Sequence, residues 1–160
     1  MKGKFDKEAR AESARAYFKQ GYNCCQSVAL AYSDLFGMDK DSVAALASGF
    51  GGGFGRLREV CGCVSGMTMV AGAVMPATDP GDSVRKTENY ALVQRLAGKY
   101  AEENGSIICR ELLGLERKSS SPESPAPSER TGEYYRKRPC PELCACAARI
   151  IAEELDNLKQ

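Results

Sequence analysis

Glycine and proline cut this chain into segments that carry the 3.6-residue apolar period of a helix, and none shows the two-residue alternation of a strand. Segment 5–20 is amphipathic, with Ala9, Ala14, Tyr17 and Phe18 near one face and Gly21 as its stop. Asn23 then reads as an N-cap with Gln26 three residues on, a capping-box spacing, opening a helix that runs through Val28, Leu30, Ala31 and Leu35 to Gly37. Asp41 or Ser42 starts a short helix over 43–47, and five glycines between positions 49 and 55 break the pattern. Segment 58–74 is apolar on most sides and ends at Pro76, which places it at the centre of a bundle. After Pro80, Gly81 and Asp82 comes the longest amphipathic segment, 83–103, ending at Asn104 and Gly105. Ser106 can cap a short helix over 107–113, stopped by Gly114, and Pro139, Cys140 and Pro141 open a last helix to about 158. The Ser/Pro-rich stretch 116–133 has little to pack and is expected to be a flexible internal loop. The expectation is an all-α chain: one domain over 1–160, a compact bundle of six or seven helices with a Gly-rich loop.

The chemistry of such a bundle is restricted by eight cysteines and no histidine. Thiols supply redox couples, nucleophiles and soft metal ligands. Imidazole, the usual general base and commonest metal ligand, is absent. Ser-His and Cys-His pairs, His-ligated zinc and haem on a proximal His are therefore excluded, as is a C-x-x-C-H haem attachment. The chemistry left runs through sulfur.

A net charge of +1 gives no global field toward a nucleic-acid backbone or an anionic membrane. The first twenty residues are charged throughout and lack the apolar core of a signal peptide. The nearly uncharged apolar stretch 64–75 is shorter than the about 20 residues a spanning helix needs. A cytoplasmic location without membrane insertion is expected. Thiols there stay reduced unless catalytic, sensing or metal-bound, so the eight are not read as four structural disulfides.

Four cysteines fall in the first turn of a proposed helix: Cys24 after Asn23, Cys61 after the glycine loop, Cys109 three residues past Ser106, and Cys140 before Pro141. Unpaired N–H groups and the positive end of the helix dipole favour thiolate at such positions. Of the others, Cys25, Cys63 and Cys146 read as small buried hydrophobes, each turned away from its neighbouring cysteine. Cys144, one turn beyond Cys140, stands open between packing and the site.

In order along the chain come N-C-C-Q-S-V at 23–28, G-F-G-G-G-F-G-R at 49–56, C-G-C-V-S-G at 61–66, C-R-E-L-L-G at 109–114 and R-P-C-P-E-L at 138–143. This ordered set resembles the redox-active family named for its C_GCAxxG_C_C cysteine pattern. The resemblance runs from about position 8 to 154 and implies Cys24, Cys61, Cys109 and Cys140 as the family's cysteines. It departs at Cys63, where the family has alanine.

Two functions are carried forward. In the first, Cys24, Cys61, Cys109 and Cys140 are the catalytic residues of a thiol redox protein, with oxidoreductase-like activity toward an unidentified redox partner or small-molecule substrate. Cys61 would be the reactive thiolate, made approachable by the glycine loop, with Cys24 and Cys140 as resolving partners. In the second, the same four are metal ligands for zinc or an iron–sulfur cluster. Arg56, Arg58 and Arg110 flank two of these thiols and would stabilise thiolate. The glycine run matches no phosphate-binding pattern and is read as a tight turn near Cys61. A homodimer would fit the apolar character of segment 58–74.

Overall fold

In the computed structural model, which describes residues 3–115 and 123–160, the all-α expectation holds. Among the described residues eight helices form: α1 Lys7–Lys19, α2 Cys24–Leu30, α3 Lys40–Ala47, α4 Gly62–Val74, α5 Ser83–Asn104, α6 Cys109–Leu112, α7 Gly132–Lys137 and α8 Cys140–Asn157. No strand forms among the described residues; a single antiparallel bridge joins Val60 to Ile108.

The cap of α2 follows the sequence, whereas α3 is capped by Asp39 rather than started by Asp41 or Ser42, and α6 by Ile108 rather than Ser106. Asp6 accepts from the Ala9 N–H to start α1, Asp39 from Ser42 to start α3, and Asp82 from Arg85 to start α5. At α2 the capping box is complete: the Asn23 side chain accepts from the Gln26 N–H at 2.9 Å, and Gln26 Oε1 accepts from the Asn23 N–H at 3.0 Å. Three differences stand out. The helix expected to reach position 37 ends at Leu30, where Tyr32 leaves helical geometry, and a 3₁₀ turn follows at Ser33–Leu35. The helix expected from 58 begins at Gly62, because Arg58 adopts a left-handed conformation and Val60 is held in the bridge. An eighth helix, α7, is capped by Thr131 just after the Ser/Pro-rich stretch. Of the loop expected over 116–133, residues 116–122 lie outside the described residues; 123–131 have no regular structure.

α1 packs along α8, and α4 contacts α2, α5 and α8. α4 is buried continuously from Gly62 to Met67, the central position its composition implied. Leu92 and Leu96 of α5 and Ile150, Ile151 and Leu155 of α8 are among the fully or nearly fully buried side chains, each contributing about 1.5–3 kcal/mol. Two polar contacts tie the layers together. Tyr32 donates its hydroxyl proton to the Ala148 carbonyl at 2.7 Å. Glu154, 4% exposed, receives Arg95 at 3.1 Å and Lys99 at 2.6 Å from α5. Burial opposes the Glu154 charge, but the two cations outweigh it and hold the carboxyl below its ordinary range.

The approach of α4 to α2 is set by small residues one turn apart. A Cβ at Gly66 would lie 2.8 Å from Val28 Cβ, and one at Gly62 3.0 Å from Cys24 Cβ. No helix of the described residues is long and apolar enough to cross a membrane. Gly66→Ala should therefore lower the unfolding free energy by about 1–3 kcal/mol through overpacking. Gly98→Ala, on an open helix surface with nothing near its Cβ, should raise it by about 0.5–1 kcal/mol. Urea denaturation of the two variants checks both signs.

Candidate functional site: a sulfur cluster beneath an arginine-lined cavity

Three mutually packed helices begin close together, and each begins at a cysteine. Cys24 is the first residue of α2 after the Asn23 cap, Cys61 is the cap residue of α4, and Cys140 is the first residue of α8, with Pro139 one step earlier in the cap position. Cys109 opens α6 and is aligned with Cys61 by the bridge. The Cys61 N–H donates to the Ile107 carbonyl at 2.8 Å, and the Cys109 N–H to the Glu59 carbonyl at 2.7 Å. All four expected cysteines line one cavity of about 360 Å³.

They do not form a single foursome. The tightest group is Cys24, Cys63 and Cys144, whose sulfurs lie within 4.8 Å of one another. Cys63 and Cys144 are fully buried, 3.6 Å apart, and the Cys144 thiol also lies 3.9 Å from the Cys24 carbonyl. The Cys140 thiol interacts with that of Cys24, and the Cys61 thiol with that of Cys63. Cys61 Sγ is also 3.3 Å from the hydroxyl of buried Tyr100. Cys109 stands apart from the group, beside the Arg58 guanidinium at 3.7 Å.

These contacts sort the thiols. The neighbouring thiols of Cys140, Cys144 and Cys63 hold the Cys24 thiol well below the ordinary range, against the opposing effect of burial. Cys61 is also lowered, by Cys63 and then Tyr100, although burial and a charged Cys24 both oppose this. Cys63 carries one S–H and serves Cys144, Cys24 or Cys61 at any instant. The donors pay with raised values: Cys140 through its bond to Cys24 and burial, Cys63 through its bonds to Cys144, Cys24 and Cys61, and Cys144 chiefly through burial. Burial also raises Cys109, although Arg58 pulls the other way.

Of the remaining two, Cys25 fits the packing expectation, whereas Cys146 is only half-buried and bonds to polar side chains. Cys25 is fully buried against Met69 Sδ at 3.6 Å, and burial pushes its thiol up to about 12. Cys146, half-buried between Asn104 and Glu103, is pushed up to about 11, again by burial first.

Sequence reasoning missed the part played by Cys63 and left that of Cys144 open. The rotation that turned Cys63 away from Cys61 presumed both to be helical, but Cys61 sits at φ −53° and ψ 134°, outside the helix. The one-turn spacing of Cys140 and Cys144 was the available signal for the other.

The glycine run shapes the cavity wall. Gly52, Gly53 and Gly55 have positive φ, and so do Phe54, Arg56 and Arg58. At Gly53 a Cβ would stand 2.7 Å from both the Cys109 Cβ and the Glu59 N, so only glycine permits this approach. Left-handed geometry at non-glycine residues costs about 1–3 kcal/mol each. Here it aims Arg56 and Arg58 at one carboxylate, Glu123, with contacts of 3.1 and 2.9 Å. Arg110, the third flanking arginine, pairs instead with Glu59 at 3.6 Å.

Comparison with curated proteins and with solved structures gives no match. Residues 22–154 match the family described as "Putative redox-active protein (C_GCAxxG_C_C)". That span takes in every cysteine of the chain, and with it the convergence of Cys24, Cys61, Cys109 and Cys140 on one cavity. The chain belongs to the C_GCAxxG_C_C family.

Proposed function

We propose that the protein is a thiol redox protein in which Cys24 is the attacking thiolate and Cys140 the resolving thiol. The observation that carries this reading is the placement of Cys24 and Cys140 on the wall of one cavity, with the sulfurs of Cys63 and Cys144 within 4.8 Å of Cys24. Thiolate is the reactive species in disulfide exchange, a lowered thiol supplies more of it, and a second thiol beside it in the same cavity is placed to close the ring. Cys61, stabilised by Tyr100, and Cys109, beside Arg58, are further redox residues of the same cavity. Cys24 attacks a substrate disulfide and Cys140 then displaces the mixed disulfide. The substrate gains two electrons and leaves as two thiols, and the protein keeps a Cys24–Cys140 disulfide.

A second reading rests on a separate observation. The sulfurs of Cys24, Cys63 and Cys144 are close enough together to share one ion, and the 3.6 Å between Cys63 and Cys144 matches the separation of thiolates on a metal, about 3.5–4 Å for metal–sulfur bonds near 2.3 Å. The donor set is soft and suits zinc or an iron–sulfur cluster. Cys140, next to Cys24, would supply a fourth thiolate.

Equilibration of the reduced protein in dithiol–disulfide buffers, with the products mapped by mass spectrometry, separates the two. The first reading expects a Cys24–Cys140 disulfide with a midpoint of about −120 to −270 mV, the span of known thiol oxidoreductases. It expects this disulfide to persist in Cys144→Ser. Failure of any disulfide to form in that window, together with stoichiometric metal in anaerobically purified protein that Cys144→Ser abolishes, would establish the second instead.

Tyr100→Phe removes a donor from Cys61 while keeping the ring. Losing a bond to the charged form raises the thiol, so the pH profile of Cys61 alkylation should move up by about one unit. An unmoved profile would mean that the 3.3 Å contact does not act on the thiolate.

A further inference from the structure

We infer that the cavity beside Cys24 binds small dianionic disulfides, with Arg130 and Arg138 as the residues that select the charge. The inference rests on the thiol redox reading for the chemistry that follows binding, but the binding itself rests on the arginines. At about 360 Å³ the cavity has the size of a small-molecule site rather than of a protein-docking face. Among the described residues, its lining carries the guanidiniums of Arg56, Arg58, Arg130 and Arg138 and no carboxylate.

The four are not equivalent. Arg56 and Arg58 already share Glu123. Arg130 donates to two backbone carbonyls, those of Phe18 and Tyr22, and lies 4.1 Å over the Phe18 ring. Arg138 lies 5.7 Å from the centre of the Tyr134 ring. Neither makes an ion pair with any described carboxylate. Carbonyl bonds and ring stacking fix the direction of a guanidinium without neutralising it. Glu123 offsets one of the four positive charges, and the charge left over favours a ligand with more than one carboxylate. Phe18, Leu112 and Leu143 on the same walls offer apolar contact for the methylene and sulfur atoms of the ligand.

Bound there, such a disulfide presents its sulfurs to Cys24. The Cys24 thiolate bonds to one sulfur and the ligand's S–S bond breaks, expelling a carboxylate-bearing thiolate. The Cys140 thiol passes its proton to that leaving thiolate and attacks the Cys24 sulfur, releasing the second thiolate. The ligand is reduced by two electrons and the protein is oxidised by two.

Calorimetry on Cys24→Ser protein with three disulfides of similar size tests this without turnover: dithiodiglycolate, bis(2-hydroxyethyl) disulfide and cystamine, which are dianionic, neutral and dicationic. The dianion should bind about tenfold or more tightly than the neutral compound, and cystamine should not bind. Arg138→Gln should weaken the dianion about tenfold and leave the neutral compound unchanged. Arg130→Lys keeps the charge and the fold while losing the forked geometry, and should weaken it by a smaller factor. Equal affinity for the three compounds, no measurable binding of the dianion, or indifference to Arg138→Gln would overturn the inference. Tight, arginine-dependent binding with no oxidation of the unaltered protein would uphold this site and defeat the redox reading. Oxidation at equal rates by all three would do the reverse.

Discussion

The closeness of α4 to α2 is the constraint from which the site follows. Gly62 and Gly66 remove the side chains that would separate the helices, and the backbone of α4 comes against Cys24 and Val28. At that distance the start of α4 delivers Cys61 and Cys63 beside the start of α2, and α8, packed on both, brings Cys140 and Cys144 from the third side. Side chains at the two glycines would run into Val28 and Cys24. The motif C-G-C-V-S-G is thus a packing requirement as much as a chemical one.

Once gathered, the thiols cannot behave alike. In a buried setting a first thiolate is stabilised by the S–H groups around it, and its charge then discourages ionisation of the next. The arrangement assigns the roles: Cys24 receives, Cys140 and Cys144 donate, and Cys61 is supported from outside the group by Tyr100. Arg130 adds a weaker favourable charge to Cys24. The arginines of the cavity therefore act on both the protein's own anion and any anion that enters.

Much of this was legible in the sequence because it depends on local rules. Asn23 and Gln26 announce the start of α2, Gly105 and Pro76 the ends of α5 and α4, and four cysteines in first turns announce that helix starts matter. What escaped depends on tertiary placement. Cys63 resembles a small core residue until three helices are assembled, and its sulfur then lies, with that of Cys144, within 4.8 Å of Cys24. Arg130 lies in a stretch with no periodicity, and nothing local indicates that it would reach the Phe18 and Tyr22 carbonyls. The left-handed run at Phe54, Arg56 and Arg58 was equally hidden, since none of these residues favours it.

The central claim is that neighbouring thiols make Cys24 the thiolate of this molecule. The pH dependence of its alkylation in the reduced protein, read residue by residue by mass spectrometry, tests that claim most directly. The account predicts that Cys24 reacts with a midpoint clearly below the about 8.5 of a free cysteine, and that Cys140→Ala moves this midpoint upward. A Cys24 profile at or above the free-cysteine value, unaffected by Cys140→Ala, would contradict it.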